Sequence, residues 1–171
     1  YNKVTKKYDA VRRCTSEGFE CEKIAIEKIK HFISKEAMNI DGLGKKVIEN
    51  FWEIGLIWFP QDIYNLDYNK ISNLEGWGDL SVSNLKFSIE QSKNVSLDRF
   101  LYAIGIRHIG IENAKLLAEY TKSIKNFLSF INKKKLKEFL NIDGIGDTQI
   151  NSLNNFFKNK SNYNIIEKLS L

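Results

Sequence analysis

Four stretches of the chain repeat one chemical pattern: "IDGLGKKVI" from Ile40, "LEGWGDLSV" from Leu74, "IRHIGIENA" from Ile106 and "IDGIGDTQI" from Ile142. Three of them place glycines on either side of one residue, as Gly42 and Gly44, Gly76 and Gly78, and Gly144 and Gly146. The third stretch keeps Gly110 and puts His108 where the first glycine would stand. Paired glycines let the backbone take positive φ and let a partner approach without a side chain in the way. Each turn feeds a helical pattern, and a helix start offers N–H groups without intrahelical acceptors at the positive end of the dipole. Such a loop is a small anion site that suits a phosphate. Backbone amides touch phosphates and not base edges, so binding of this kind carries little sequence information.

The flanking charges rank the four loops. Lys45 and Lys46 follow the first directly, and Arg107 lies inside the third. His108 is expected to be a neutral turn residue or a phosphate donor. Asp79, Glu112 and Asp147 follow the other glycines, where an acid caps a helix well but repels phosphate. A carboxylate placed at Gly44, Gly78, Gly110 or Gly146 is expected to repel phosphate and also to strain a backbone held at positive φ. For a single loop, helix punctuation is the simpler reading, since glycine is common wherever helices end. The closing glycines Gly44, Gly78, Gly110 and Gly146 are spaced by 34, 32 and 36 residues, and that regularity in a basic chain favours the anion-binding reading.

Other residues with chemical potential are fewer. A structural zinc needs four ligands in a closed tetrahedron, and the chain has only Cys14 and Cys21. His31, ten residues past Cys21 on an isoleucine-rich helix, is expected to pack rather than ligate. Lys6, Lys7, Arg12 and Arg13 in "KKYDAVRR" form a second basic candidate, or simply a frayed terminus. Trp52, Trp58 and Trp77 are read as core or loop packing.

The elements that must position these loops are helices nearly throughout. "CEKIAIEKIKHFI" sets Ile26, Ile29 and Ile33 on one face, and "KKVIENFWEIG" does the same with Val47, Ile48, Phe51 and Trp52. Ser96 opens "SLDRFLYAIGI" as an N-cap candidate, and Pro60 suits the first turn of a short helix. Helical patterns also cover "IENAKLLAEYTKSIKNFLSFI", "KKKLKEFLNI" and "TQINSLNNFFKN". Only the first dozen residues alternate as a strand might. The fold class is all-α with a small non-helical N-terminal piece.

At 171 residues the chain can bury a sizeable core, and its 43% hydrophobic content argues against disorder. A formal charge of +5 favours a polyanionic partner. No apolar run approaches a membrane span, and two cysteines are too few for a disulfide framework, which points to a cytoplasmic setting. The chain begins with Tyr1 rather than Met, as a piece of a longer protein would.

The repeated unit resembles the helix-hairpin-helix motif of DNA repair and replication proteins. The stretches "HFISKEAMNIDGLG" and "RFLYAIGIRHIG", in this order and separation, are similar to the C-terminal half of bacterial NAD-dependent DNA ligases. That resemblance runs from about Arg13 to about Phe157. It implies a tandem helix-hairpin-helix DNA-binding domain over residues 23–160, a partial zinc-finger segment over 1–22, and a C-terminal helix or tail over 161–171. Cys14 and Cys21 match the second cysteine pair of the family's finger, so zinc is expected in the intact protein and two loose thiols here. The implied partners are double-stranded, nicked DNA and the other ligase domains, with no membrane. NAD and magnesium belong to an adenylation domain outside this chain. Its lysine nucleophile has no counterpart here, because Asn39 and Asn141 stand in the corresponding place of each Asp-Gly stretch. A helix-hairpin-helix DNA glycosylase is the alternative enzyme reading, with Asp62 as its catalytic acid candidate. A purely protein-binding helical module is the third.

Overall fold

Apolar residues recurring every three to four positions produce helices throughout the described residues. In the computed structural model, Phe19 and residues 21–170 are described; Cys14 and the "KKYDAVRR" stretch lie outside them. The chain runs through α1 (Glu22–Ile33), α2 (Lys45–Glu53), a 3-10 helix (Pro60–Asn65), α3 (Tyr68–Ser72) and α4 (Asp79–Ser92). It continues through α5 (Leu97–Ala103), α6 (Ile111–Thr121), α7 (Ile124–Asn132), a second 3-10 helix (Leu136–Asn141), α8 (Asp147–Lys158) and α9 (Lys160–Leu169). No strand occurs among the described residues, and none of their helices is long and apolar enough to cross a membrane.

Local chemistry explains most boundaries. Pro60 opens its 3-10 helix, where a missing N–H is harmless. The helical pattern after Gly110 is not one helix: Lys122 turns left-handed at φ 64, and Ser123 then caps α7 by accepting from the Asn126 N–H at 3.1 Å. "KKKLKEFLNI" becomes a short 3-10 helix rather than an α-helix. Ser96 stands at the N-cap of α5 but makes no capping bond.

The hairpins associate as two pairs, each around its own core. The first core gathers Ile29, Phe32, Ile48, Phe51, Ile71, Leu85 and Ile89 from α1 to α4. The second gathers Leu117, Phe127, Phe139, Ile150 and Leu153 from α6 to α8, with Ile166 of α9. Each fully buried Phe or Ile side chain contributes about 1.5–3 kcal/mol relative to exposure. α5 joins the two bodies, with Phe100 and Tyr102 packed against both cores. His31 packs as expected: its ring meets Tyr102 edge-on at 4.7 Å, and Nε2 donates to the Tyr102 carbonyl at 2.7 Å. Arg99 ties the same seam, with Nε donating to the Ala37 carbonyl at 2.8 Å and a terminal nitrogen to that of Lys35.

Candidate nucleic-acid interface

The four turns share one backbone conformation. Their first positions are all left-handed, with φ of 95 at Gly42, 82 at Gly76, 61 at His108 and 94 at Gly144. His108 thus performs the glycine's conformational task at the one place where glycine is missing. The middle residue plugs the turn into the core: Leu43, Ile109 and Ile145 are buried, and Trp77 stacks on Phe51 at 5.7 Å. The turn is therefore held rigidly, which is why the residue between the two positions must be apolar.

The second glycines overturn one expectation. Gly44 (φ −68), Gly78 (φ −125), Gly110 (φ −84) and Gly146 (φ −118) are all extended N-caps, a region that any residue adopts. A carboxylate there would not strain the backbone. Nor is there steric pressure, since a Cβ at Gly44, Gly78 or Gly110 would meet nothing within 4 Å. Absence of a side chain at these positions leaves the helix start open to an incoming group.

Only two of the four N-cap amides are available. The Gly78 N–H donates to Ser81 Oγ at 2.9 Å, and the Gly146 N–H donates to Gln149 Oε1 at 3.0 Å. Each helix thereby caps its own entrance. At Gly44 the residue three positions on is Val47, which has nothing to offer. At Gly110 it is Asn113, whose side chain donates to the His108 carbonyl at 3.0 Å instead.

Charge follows the same division. Arg107 and Lys46 are exposed beside the open turns, while Lys45 reaches Glu49 only loosely at 3.8 Å. Glu112, the acid nearest Gly110, is paired with Lys115 at 3.2 Å. Asp79 and Asp147 begin α4 and α8, adding negative charge to the two closed turns.

The second pair has a two-fold pattern of contacts. His108 Nδ1 lies 2.9 Å from Ser152 Oγ, six residues beyond Gly146. Reciprocally, a Cβ on Gly144 would come 2.9 Å from Leu116, six residues beyond Gly110. Each turn therefore leans on the helix that its partner starts. In the first pair Gly42 faces Leu85 of α4, but Gly76 faces nothing within 4 Å, so the reciprocity is incomplete.

Residues 99–166 match the helix-hairpin-helix motif family. Over 99% of its length the chain is 61% identical to a DNA ligase of Pelagibacter ubique. It is 43% identical, over 95% of its length, to a DNA ligase of Rickettsia bellii. The chain belongs to the DNA ligase family. It spans about a quarter of the length of these curated relatives.

Within this ligase segment, the residues of the competing readings have other occupations. Asp62 accepts from the Trp58 and Phe59 N–H groups at 2.9 and 2.8 Å, so its carboxylate caps a 3-10 helix rather than facing a base pocket. Trp77 and Trp52 pack against the first core, while Trp58 is 53% exposed and lies over Gly55. Among the described residues no group of three or more His, Cys, Asp and Glu could hold a metal. Cys14 lies outside the described residues, and Cys21 stands at the N-cap of α1. The described donor set does not make a four-ligand zinc centre. Sequence reasoning missed Ser81, Gln149 and Ser152, although the Gly-x-x-Ser and Gly-x-x-Gln spacings resemble capping boxes and were open to reading.

Proposed function

We propose that this segment holds double-stranded DNA, without reading its sequence, at the nick on which an NAD-dependent ligase acts in replication and repair. The observation that carries the reading is the set of four turns with left-handed first positions, two of which, at Gly44 and Gly110, open a helix at an unobstructed glycine with a free amide. Preformed amides at a helix start suit phosphate oxygens, and one open turn from each hairpin pair can touch a duplex backbone at two places. Lys46 and Arg107 add mobile and forked cationic donors beside the two open turns.

The test is a titration of two unrelated nicked duplexes over a range of salt. Log affinity is expected to fall by roughly 0.9 per phosphate contacted for each decade of salt, equally for both sequences. A tenfold preference for one sequence, or a flat salt response, would overturn the reading.

The segment holds DNA and does not itself perform the first chemical step. Asn39 and Asn141 offer no nucleophile, so incubation with NAD and magnesium should leave the intact mass without an added AMP. Cys14 and Cys21 supply at most two of a zinc ion's four ligands, so zinc binding requires two more from the rest of the ligase chain.

A further inference from the structure

The two hairpin pairs have equivalent connectors of opposite charge. From the end of α2 to the first turn of α3, residues 54–69 carry Asp62 and Asp67 and no Lys or Arg. The equivalent stretch from the end of α6 into the second 3-10 helix, residues 122–137, carries Lys122, Lys125, Lys133, Lys134, Lys135 and Lys137 and no acid. All six lysines are exposed. Only Lys135 has a carboxylate within ion-pair distance, Glu138 at 2.9 Å.

Helix-dipole compensation accounts for part of this charge. Lys122 and Lys133 are the C-caps of α6 and α7, where a cation is favoured. It does not account for Lys125, which sits in the first turn of α7, where a cation opposes the dipole. Nor does it account for Lys134, Lys135 and Lys137, which crowd against Lys133 so that mutual repulsion disfavours the free state. A charge distribution that works against local stability points to an external polyanion. Six like charges on a segment already read as holding a duplex make the phosphates of that duplex the matching polyanion.

Geometry separates this face from the hairpins. α7 spans nine residues, about 14 Å, with lysines at both ends. The second 3-10 helix, six residues or about 12 Å long, lies between the lysine turn and the Gly144 turn. We propose that residues 122–137 form a second phosphate-contacting surface, which engages the DNA backbone outside the stretch held by the hairpins. This rests on the duplex-binding reading above.

The experiment compares the parent chain with a Lys125→Gln, Lys133→Gln, Lys137→Gln triple variant on a nicked duplex of about 30 base pairs, with Gly44→Asp, Gly110→Asp as a second variant. The triple variant is expected to lower the magnitude of the log–log salt slope by about two to three, at about 0.9 per lost contact. Its melting temperature should stay nearly level, because the changed positions are exposed and loss of the favoured cation Lys133 at the C-cap of α7 is offset by removal of the opposing Lys125. An unchanged slope and affinity would overturn the proposal, as would a loss confined to an acidic polyglutamate peptide with DNA binding intact. If the parent binds no duplex, the duplex reading itself fails. If the double glycine variant weakens binding and the triple variant does not, only the second surface is wrong.

Discussion

The turns at Gly44 and Gly110 leave the N-cap amide open, whereas those at Gly78 and Gly146 close it with a side chain from their own helix. All four follow one backbone plan, yet a single residue three positions on decides which can accept a ligand. Val47 offers no acceptor and Asn113 looks away, while Ser81 and Gln149 satisfy the amide from within. An amide already bonded gains little from a phosphate, because one hydrogen bond only replaces another. Each pair therefore contributes one ligand-facing turn and one turn that serves the fold.

The largest effect should come from closing the open turns by charge. Gly44→Asp and Gly110→Asp are each expected to weaken DNA binding by about tenfold, or about 1.4 kcal/mol, after solvent screening of a close carboxylate–phosphate repulsion. Because both glycines are extended N-caps, where aspartate is favoured, stability should hold or rise by a few tenths of a kcal/mol. Gly78→Asp and Gly146→Asp should change binding by only about 0.5 kcal/mol, within the range of a surface charge pair. Fluorescence anisotropy with thermal melts separates the two readouts. Equal losses at all four positions would erase the distinction between open and closed turns.

A second contrast lies within one turn, between its first and second glycine. Gly144→Ala should destabilise by about 2–3 kcal/mol, since φ is 94 and the new methyl would press on Leu116 at 2.9 Å. Gly146→Ala should lose only about 1 kcal/mol or less, as an extended N-cap. Denaturant unfolding of the two variants measures the difference, and similar losses would mean that the left-handed position is not what the glycine serves.

The smallest expected effect sharpens the assignment of the closed turns. Ser81→Ala and Gln149→Ala each remove a self-cap and should cost about 0.5–1 kcal/mol of stability. DNA affinity should stay level or rise slightly, because a donor is released. A clear fall in affinity for either variant would show that these side chains touch DNA themselves.

Much of the molecule was legible in the residue order, for identifiable reasons. Periodic apolar residues and four regularly spaced glycine turns defined the helices and the repeat, since both are local properties of the chain. The break at Lys122 was harder to see, because nothing in the lysine itself demands a left-handed backbone. His108 could be aligned with the missing glycine, but its φ of 61 and its contact with Ser152 depend on α8 packing against the turn. The belief that the second glycines bear positive φ failed because glycine permits that region without requiring it.

The sequence alone thus determined the helical class, the unit that is repeated, the excess of positive charge and the lack of a lysine nucleophile in the Asp-Gly stretches. Each of these is written in residue types or in spacings of a few positions. Only the tertiary structure decided that four hairpins form two cores, that α5 joins them, and that two amides are open and two closed. Those outcomes turn on which side chains face one another across the chain, and burial and hydrogen-bond direction are fixed only when distant segments pack.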